Sequence, residues 1–202
     1  MTSSIFRTFV TTAVSLCAFA AHAQTWPTKP ISLVVTYPPG GGADTMARLI
    51  APKLGDALGQ TVVVENKPGA SGQIGASAVA KAAPDGYTLM LDASSFAVNP
   101  ALFAKLPYDS DKAFKPIGVI ALFPNVLLVN PSFPASSVKE MIALAKAKKN
   151  AVSFASSGNG SAQHLAGAMF ESTAGVEMLH VPYKGGGPAL NDVIGGQVPV
   201  FF

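Results

Sequence analysis

Four segments of this 202-residue sequence join glycine to small or hydroxyl-bearing neighbours directly after an apolar run. They are Pro39-Gly40-Gly41-Gly42-Ala43-Asp44, Pro68-Gly69-Ala70-Ser71-Gly72, Ser156-Ser157-Gly158-Asn159-Gly160-Ser161 and Lys184-Gly185-Gly186-Gly187-Pro188. A fifth, Ala93-Ser94-Ser95-Phe96, supplies two hydroxyls and an aromatic wall. Glycine lets a ligand come close to main-chain N–H groups, and the first turn of a helix holds unpaired donors in a partly positive field. The chemistry this suits is the cradling of a carboxylate or phosphate by backbone amides. For any one loop, turn-making glycines and helix-capping serines account for the composition equally well. Four loops of one design favour the cradle.

The ionisable residues beside these loops leave several roles open. Asp44 can oppose an anion, act as a favourable carboxylate in a first helical turn, or hold a ligand amino group. His164 falls one turn into the helix expected after Ser161, where it can face a cleft, whereas His180 sits in an expected strand and reads as structural. Lys184 serves equally as an inward cation or a solvated loop charge. Catalytic patterns are absent: there is no GxSxG elbow, Walker lysine loop or HExxH, and Gly158-Asn159-Gly160 lacks the third glycine of a dinucleotide fingerprint. A triad of Ser157, His164 and Asp192 can be drawn, but nucleophilic catalysis rests on geometry that spacing alone does not supply. The expectation is a binder and not an enzyme, with no metal and no cofactor.

Short β-rich runs alternate with helical stretches, which predicts βαβ units around mainly parallel sheets. Strands are expected at Ile31 to Tyr37, Thr61 to Glu65 and Tyr87 to Leu91. Helices are expected at Asp44 to Leu58, with Met46, Leu49, Ile50, Leu54 and Leu58 at helical spacing, and at Gly72 to Lys81. The nearly apolar run Pro116 to Asn130 reads as two strands near a crossover. A second series follows: a helix from the capping-box pair Ser137 and Glu140 to Ala147, strands Ala151 to Ala155 and Glu177 to Val181, a helix to Thr173, and a last strand at Val200-Phe201-Phe202. The fold expected is α/β, with two doubly wound lobes and a ligand cleft between them, one lobe over residues 24–123 and the other over 124–202. Because the sequence stops on an apolar run, the second lobe is expected to be incomplete.

The opening residues read as an export signal: Arg7, an apolar stretch from Phe9 to Ala21, and Ala21-His22-Ala23 as a small-residue cleavage pattern, so that residues 1–23 are expected to be removed. The one cysteine, Cys17, lies inside that segment, which leaves no thiol for a disulfide or a thiolate metal site afterwards. Charged residues make up 12% against 49% hydrophobic, which excludes disorder, and the net charge of +3 is too mild to imply nucleic-acid binding. Lys146, Lys148 and Lys149 end an expected helix, where positive charge complements the macrodipole.

The strings YPPGGGADTMAR, VENKPGASGQIGA, PDGYTLML, SSGNGSAQHLAG and HVPYKGGGPALNDVIGGQVPV closely resemble those of the substrate-binding receptors of tripartite tricarboxylate transporters, the Bug receptors. The resemblance implies a monomeric periplasmic receptor that closes on a small carboxylated ligand (a di- or tricarboxylate, an acidic amino acid or an aromatic acid) and delivers it to membrane permease subunits. A ligand-sensing receptor for a two-component system and a small serine hydrolase are the rival readings. The resemblance carries carboxylate contacts onto Gly41, Gly42, Ala43, Ser71, Ser94, Ser157, Gly158 and Asn159, with Asp192 reaching the cleft, alongside Asp44, Ser95 and His164 from the residues themselves. Ala168 stands where related receptors often carry Glu, and Ala113 where Asp is frequent. The resemblance also implies roughly a hundred further residues, a domain-sized stretch, to complete the second lobe.

Overall fold

The computed structural model describes residues 26–202, so the expected export signal lies outside the described residues. Ile31, Leu33, Val34 and Val35 are all buried, as a central strand covered on both faces requires, and they form β1 (Ile31–Val35). It pairs in parallel with β2 (Val62–Asn66) on one side and β3 (Thr88–Leu91) on the other, giving the order β2-β1-β3. The register sets Val35 beside both Asn66 and Leu91. All three strands therefore end at one edge, and the loops after them open there together.

Helix α1 (Gly42–Leu58) covers β1 and β2 through Ala47 and Ala51, small residues that let the helix sit close to the sheet, and Gly59 ends it in the left-handed conformation at φ 69°. Leu49, on the expected apolar repeat, is 59% exposed. A single 3-10 turn (Ala70–Gly72) leads into α2 (Gln73–Ala80), and α3 (Ser94–Leu102) follows β3.

The second sheet is built by β4 (Leu128–Val129), β5 (Ser153–Ser156), β6 (Leu179–Pro182) and β7 (Val200–Phe201), with helices α4 (Val138–Ala147), α5 (Ala162–Ala174) and α6 (Gly186–Ile194) between them. The order is β4-β7-β5-β6, parallel except for β4 against β7. Side chains alternate across it. Phe154, Val200 and Phe202 join Met141 and Ala145 of α4 on one face, while Ala155 and Phe201 meet Ala189 and Val193 of α6 on the other. Burying Phe154 completely contributes about 1.5–3 kcal/mol. Ser137 caps α4 by accepting from Glu140 N–H (3.3 Å), but the Glu140 carboxylate reaches back to Ser136 N–H (2.7 Å) instead of to the cap residue expected.

The largest departure from expectation falls between residues 116 and 130. One of the two strands expected there does not form, and the other is reduced to β4. Ile117, Val119, Leu122 and Phe123 are 69–89% exposed and join no ladder. β-propensity makes a strand only where a segment lies against an edge, and this segment does not: among the described residues β3 is bonded to β1 alone, its outer edge left unpaired.

Candidate functional site

The strand ends of both sheets open onto one cavity of about 680 Å³. Its walls include the first residues of four helices: Gly42 and Ala43 of α1, Ser94 of α3, Ala162 and Gln163 of α5, and Gly186 and Gly187 of α6. Ligand crevices in parallel α/β sheets lie at such carboxyl ends. Two of these helices meet across the cavity. A Cβ built on Gly41 would lie 3.9 Å from the main-chain nitrogens of Gly186 and Gly187, and one on Gly187 would lie 3.5 Å from the Gly40 carbonyl. A methyl at either position would sit in ordinary van der Waals contact with the facing loop, so the two helix starts approach to within one small side chain of each other.

How the helix starts are satisfied separates them further. Neither α1 nor α6 has a side-chain cap, so their leading N–H groups face the cavity without one. Helix α5 is capped by Ser161, whose Oγ accepts from His164 N–H (3.3 Å). At α3 the donors go to Asp92: its Oδ1 accepts from Ala93 N–H (2.6 Å), Phe96 N–H (3.2 Å) and the Ser95 hydroxyl (2.9 Å), and its Oδ2 from the Thr36 hydroxyl (2.6 Å). Burial raises the Asp92 carboxyl above the ordinary range against the pull of these bonds. Tyr37 donates to Ser95 Oγ (2.8 Å), and burial, with Asp92 nearby, pushes its phenol up to about 12.

Of the twelve residues expected from sequence, Gly41, Gly42, Ala43, Ser94 and Ser157 line the cavity. Asp44 does not. Its buried carboxylate accepts from Gly40 N–H (3.0 Å), from Arg48 Nε at both oxygens (3.0 Å each) and from Asn66 Nδ2 (2.9 Å). Burial alone would raise its pKa, but these bonds outweigh burial and hold it at about 2. Asp44 thus fastens the Pro38–Gly42 loop to α1 and β2 and has no capacity turned to a ligand. Ser71, in the left-handed region at φ 55°, lends its carbonyl to Asn99 Nδ2 (2.9 Å) beside the cavity and not in its wall. Ser95 is buried beneath Tyr37.

Gly158, Asn159, His164 and Asp192 also stand outside the wall. His164 Nδ1 accepts from Gly160 N–H (3.1 Å), and its ring stacks on His180 at 4.2 Å. His180 also stacks on Phe154 and bonds Ser156 Oγ through Nε2 (2.6 Å). Burial, then the neighbouring His164, brings its pKa down to about 4. Asp192 accepts from the Tyr183 hydroxyl (2.6 Å), which burial and that carboxylate push up to about 12. His164 and Asp192 are thus each engaged elsewhere, and among the described residues no hydrogen bond joins Ser157 to either as a triad would require.

Residues 46–202, most of the chain and most of this architecture, match the model of the tripartite tricarboxylate transporter family receptor. The chain belongs to that family. It is 43% identical over 183 residues to protein BugT of Bordetella pertussis, covering 90% of this chain and 56% of the relative. A solved periplasmic transporter is 44% identical with a TM-score of 0.79, and an R. palustris protein solved with adipate is 39% identical with a TM-score of 0.84. Each covers 87% of this chain and 59% of the other. The chain therefore spans little more than half the length of these receptors. The fold is periplasmic-binding-protein-like, as in the solved periplasmic binding protein BugD, and the family is one of receptors.

Sequence reasoning missed Asp92 and the helix that it starts. The signal was there: an Asp two residues before a pair of serines, at the end of a strand, is a helix-start pattern.

Proposed function

We propose that this receptor holds a small carboxylate between its two lobes, outside the cytoplasm, and hands it to the permease subunits of a tripartite tricarboxylate transporter. The observation that carries this reading is the confrontation of the α1 and α6 starts, two uncapped helix N-termini on opposite lobes with glycine at the points of contact. A carboxylate between them would take main-chain N–H bonds from both, and so would favour the closed arrangement over the open one. Gly41, Gly42, Ala43, Ser94 and Ser157 are the contacts proposed from the wall, with Gly186 and Gly187 added from the opposite side.

The boundary between the lobes is proposed between residues 123 and 124, and the working unit is a monomer exported through its N-terminal signal. A ligand that binds the folded state alone raises Tm, by mass action. A panel of aliphatic, aromatic and amino carboxylates tested by thermal shift should therefore yield a hit whose effect saturates. No shift from any member of a broad panel contradicts the reading.

A further inference from the structure

The cavity wall is electrostatically one-sided. Among the described residues that line it, Asp92 is the sole side chain with a formal charge; no Lys, Arg or His takes part. Asp92 also lacks a cation of its own. Asp44, the other acid at this end of the lobe, is paired with Arg48, whereas no ion pair among the described residues includes Asp92. Two of its four donors are main-chain N–H groups, which can only donate and so favour the ionised carboxylate, against burial, which works the other way. Most of the remaining wall is carbon, from Met46, Met90, Leu122, Phe123 and Leu190.

This arrangement divides the cavity into two unlike ends. The uncapped α1 and α6 starts offer donors for one carboxylate, while the α3 start is already served by Asp92 and offers negative charge. A second carboxylate would lose water against a largely apolar wall where only neutral groups such as Asn125, Gln163 and Ser157 could meet it, or be set beside Asp92 with no cation among the lining residues. Both placements are costly. An apolar chain or ring in the same space pays neither cost and gains from burial.

We propose that the cleft selects a monoanion, a single carboxylate on an apolar body, and that Asp92 is the specificity-determining residue that excludes a second carboxylate. The inference rests on the carboxylate-receptor reading and narrows its ligand class. It separates this chain from its relative solved with adipate, a ligand with two carboxylates.

The test is calorimetric titration of the purified protein near neutral pH with matched pairs, hexanoate against adipate and 3-phenylpropanoate against phenylsuccinate. The wild-type protein should bind the monoanion of each pair roughly tenfold or more tightly, the scale of one unsatisfied charged contact. Asp92→Asn, which keeps the shape and one acceptor oxygen, should close most of that gap by improving the dicarboxylate. Should the variant fold poorly, the wild-type ranking decides alone. Equal or tighter wild-type binding of the dicarboxylates overturns the inference and leaves the receptor reading standing. So does a variant that changes both members of each pair by one factor, since Asp92 would then only cap α3. Absence of binding by all four removes the receptor reading and this inference with it.

Discussion

Gly185 and Pro38, from opposite lobes, pack so closely that a Cβ on the glycine would fall 2.5 Å from both Cδ and Cγ of the proline ring. Gly185 has an extended backbone, so conformation does not demand glycine there; the closeness of Pro38 does. This contact brings the α1 and α6 starts together.

Gly185→Ala should therefore hold the lobes apart without unfolding either. Overpacking typically costs about 1–3 kcal/mol, which as lost closure amounts to roughly five- to hundredfold weaker ligand binding. Titration with any carboxylate that binds the wild type measures it. Unchanged affinity would mean that the two loops need not touch in the bound state.

Asp44 should matter through the loop that it fastens. Asp44→Ala removes an acceptor for Gly40, Arg48 and Asn66 together and should lower Tm by about 2–8 °C. The sign with pH is fixed by its depressed pKa: stability from Asp44 is complete above its ordinary value near 4 and fades as the pH falls towards 2. Melting curves across that range should be flatter for the variant than for the wild type. Parallel curves would show that the carboxylate is solvated.

His180 gives a second, separate pH window. Its folded-state pKa of about 4 lies below the ordinary 6.5, so the unfolded chain binds the proton more readily, and stability is lost as the pH falls from 6.5 towards 4. With allowance for its partial exposure the loss amounts to at most about 2 kcal/mol. Urea midpoints at several pH values should fall more steeply for the wild type than for His180→Phe. Equal slopes would count against a neutral imidazole stacked between Phe154 and His164.

In α5, Gly167→Ala should destabilise, although alanine is the better helix former. The added methyl would lie 2.3 Å from the edge of the Phe154 ring, which is fully buried and cannot give way freely. A net loss of about 1–2 kcal/mol is expected from urea denaturation. A gain in stability would mean that the ring repacks at no cost.

The parallel sheets were legible because β1, and the mostly apolar stretch Ala151 to Ala155 that enters β5, each lead into a glycine loop, a pattern that survives without tertiary knowledge. The strand expected within residues 116–127 was not, since its apolar composition says what the segment prefers and nothing about whether an edge lies beside it. At the site, glycine positions carried most of the legible information, because close approach leaves few other choices. The carboxylates were harder. Asp44 and Asp92 both follow a strand and start a helix, and only the position of Arg48 and Asn66 around one of them tells structural anchor from cavity wall.

The central claim is that main-chain N–H groups at the α1 and α6 starts receive the carboxylate. Amide chemical-shift mapping during titration with a binding carboxylate tests it directly. The largest changes are predicted at Gly42, Ala43, Gly186 and Gly187. A saturating titration that leaves those four amides in place and moves signals elsewhere would contradict it.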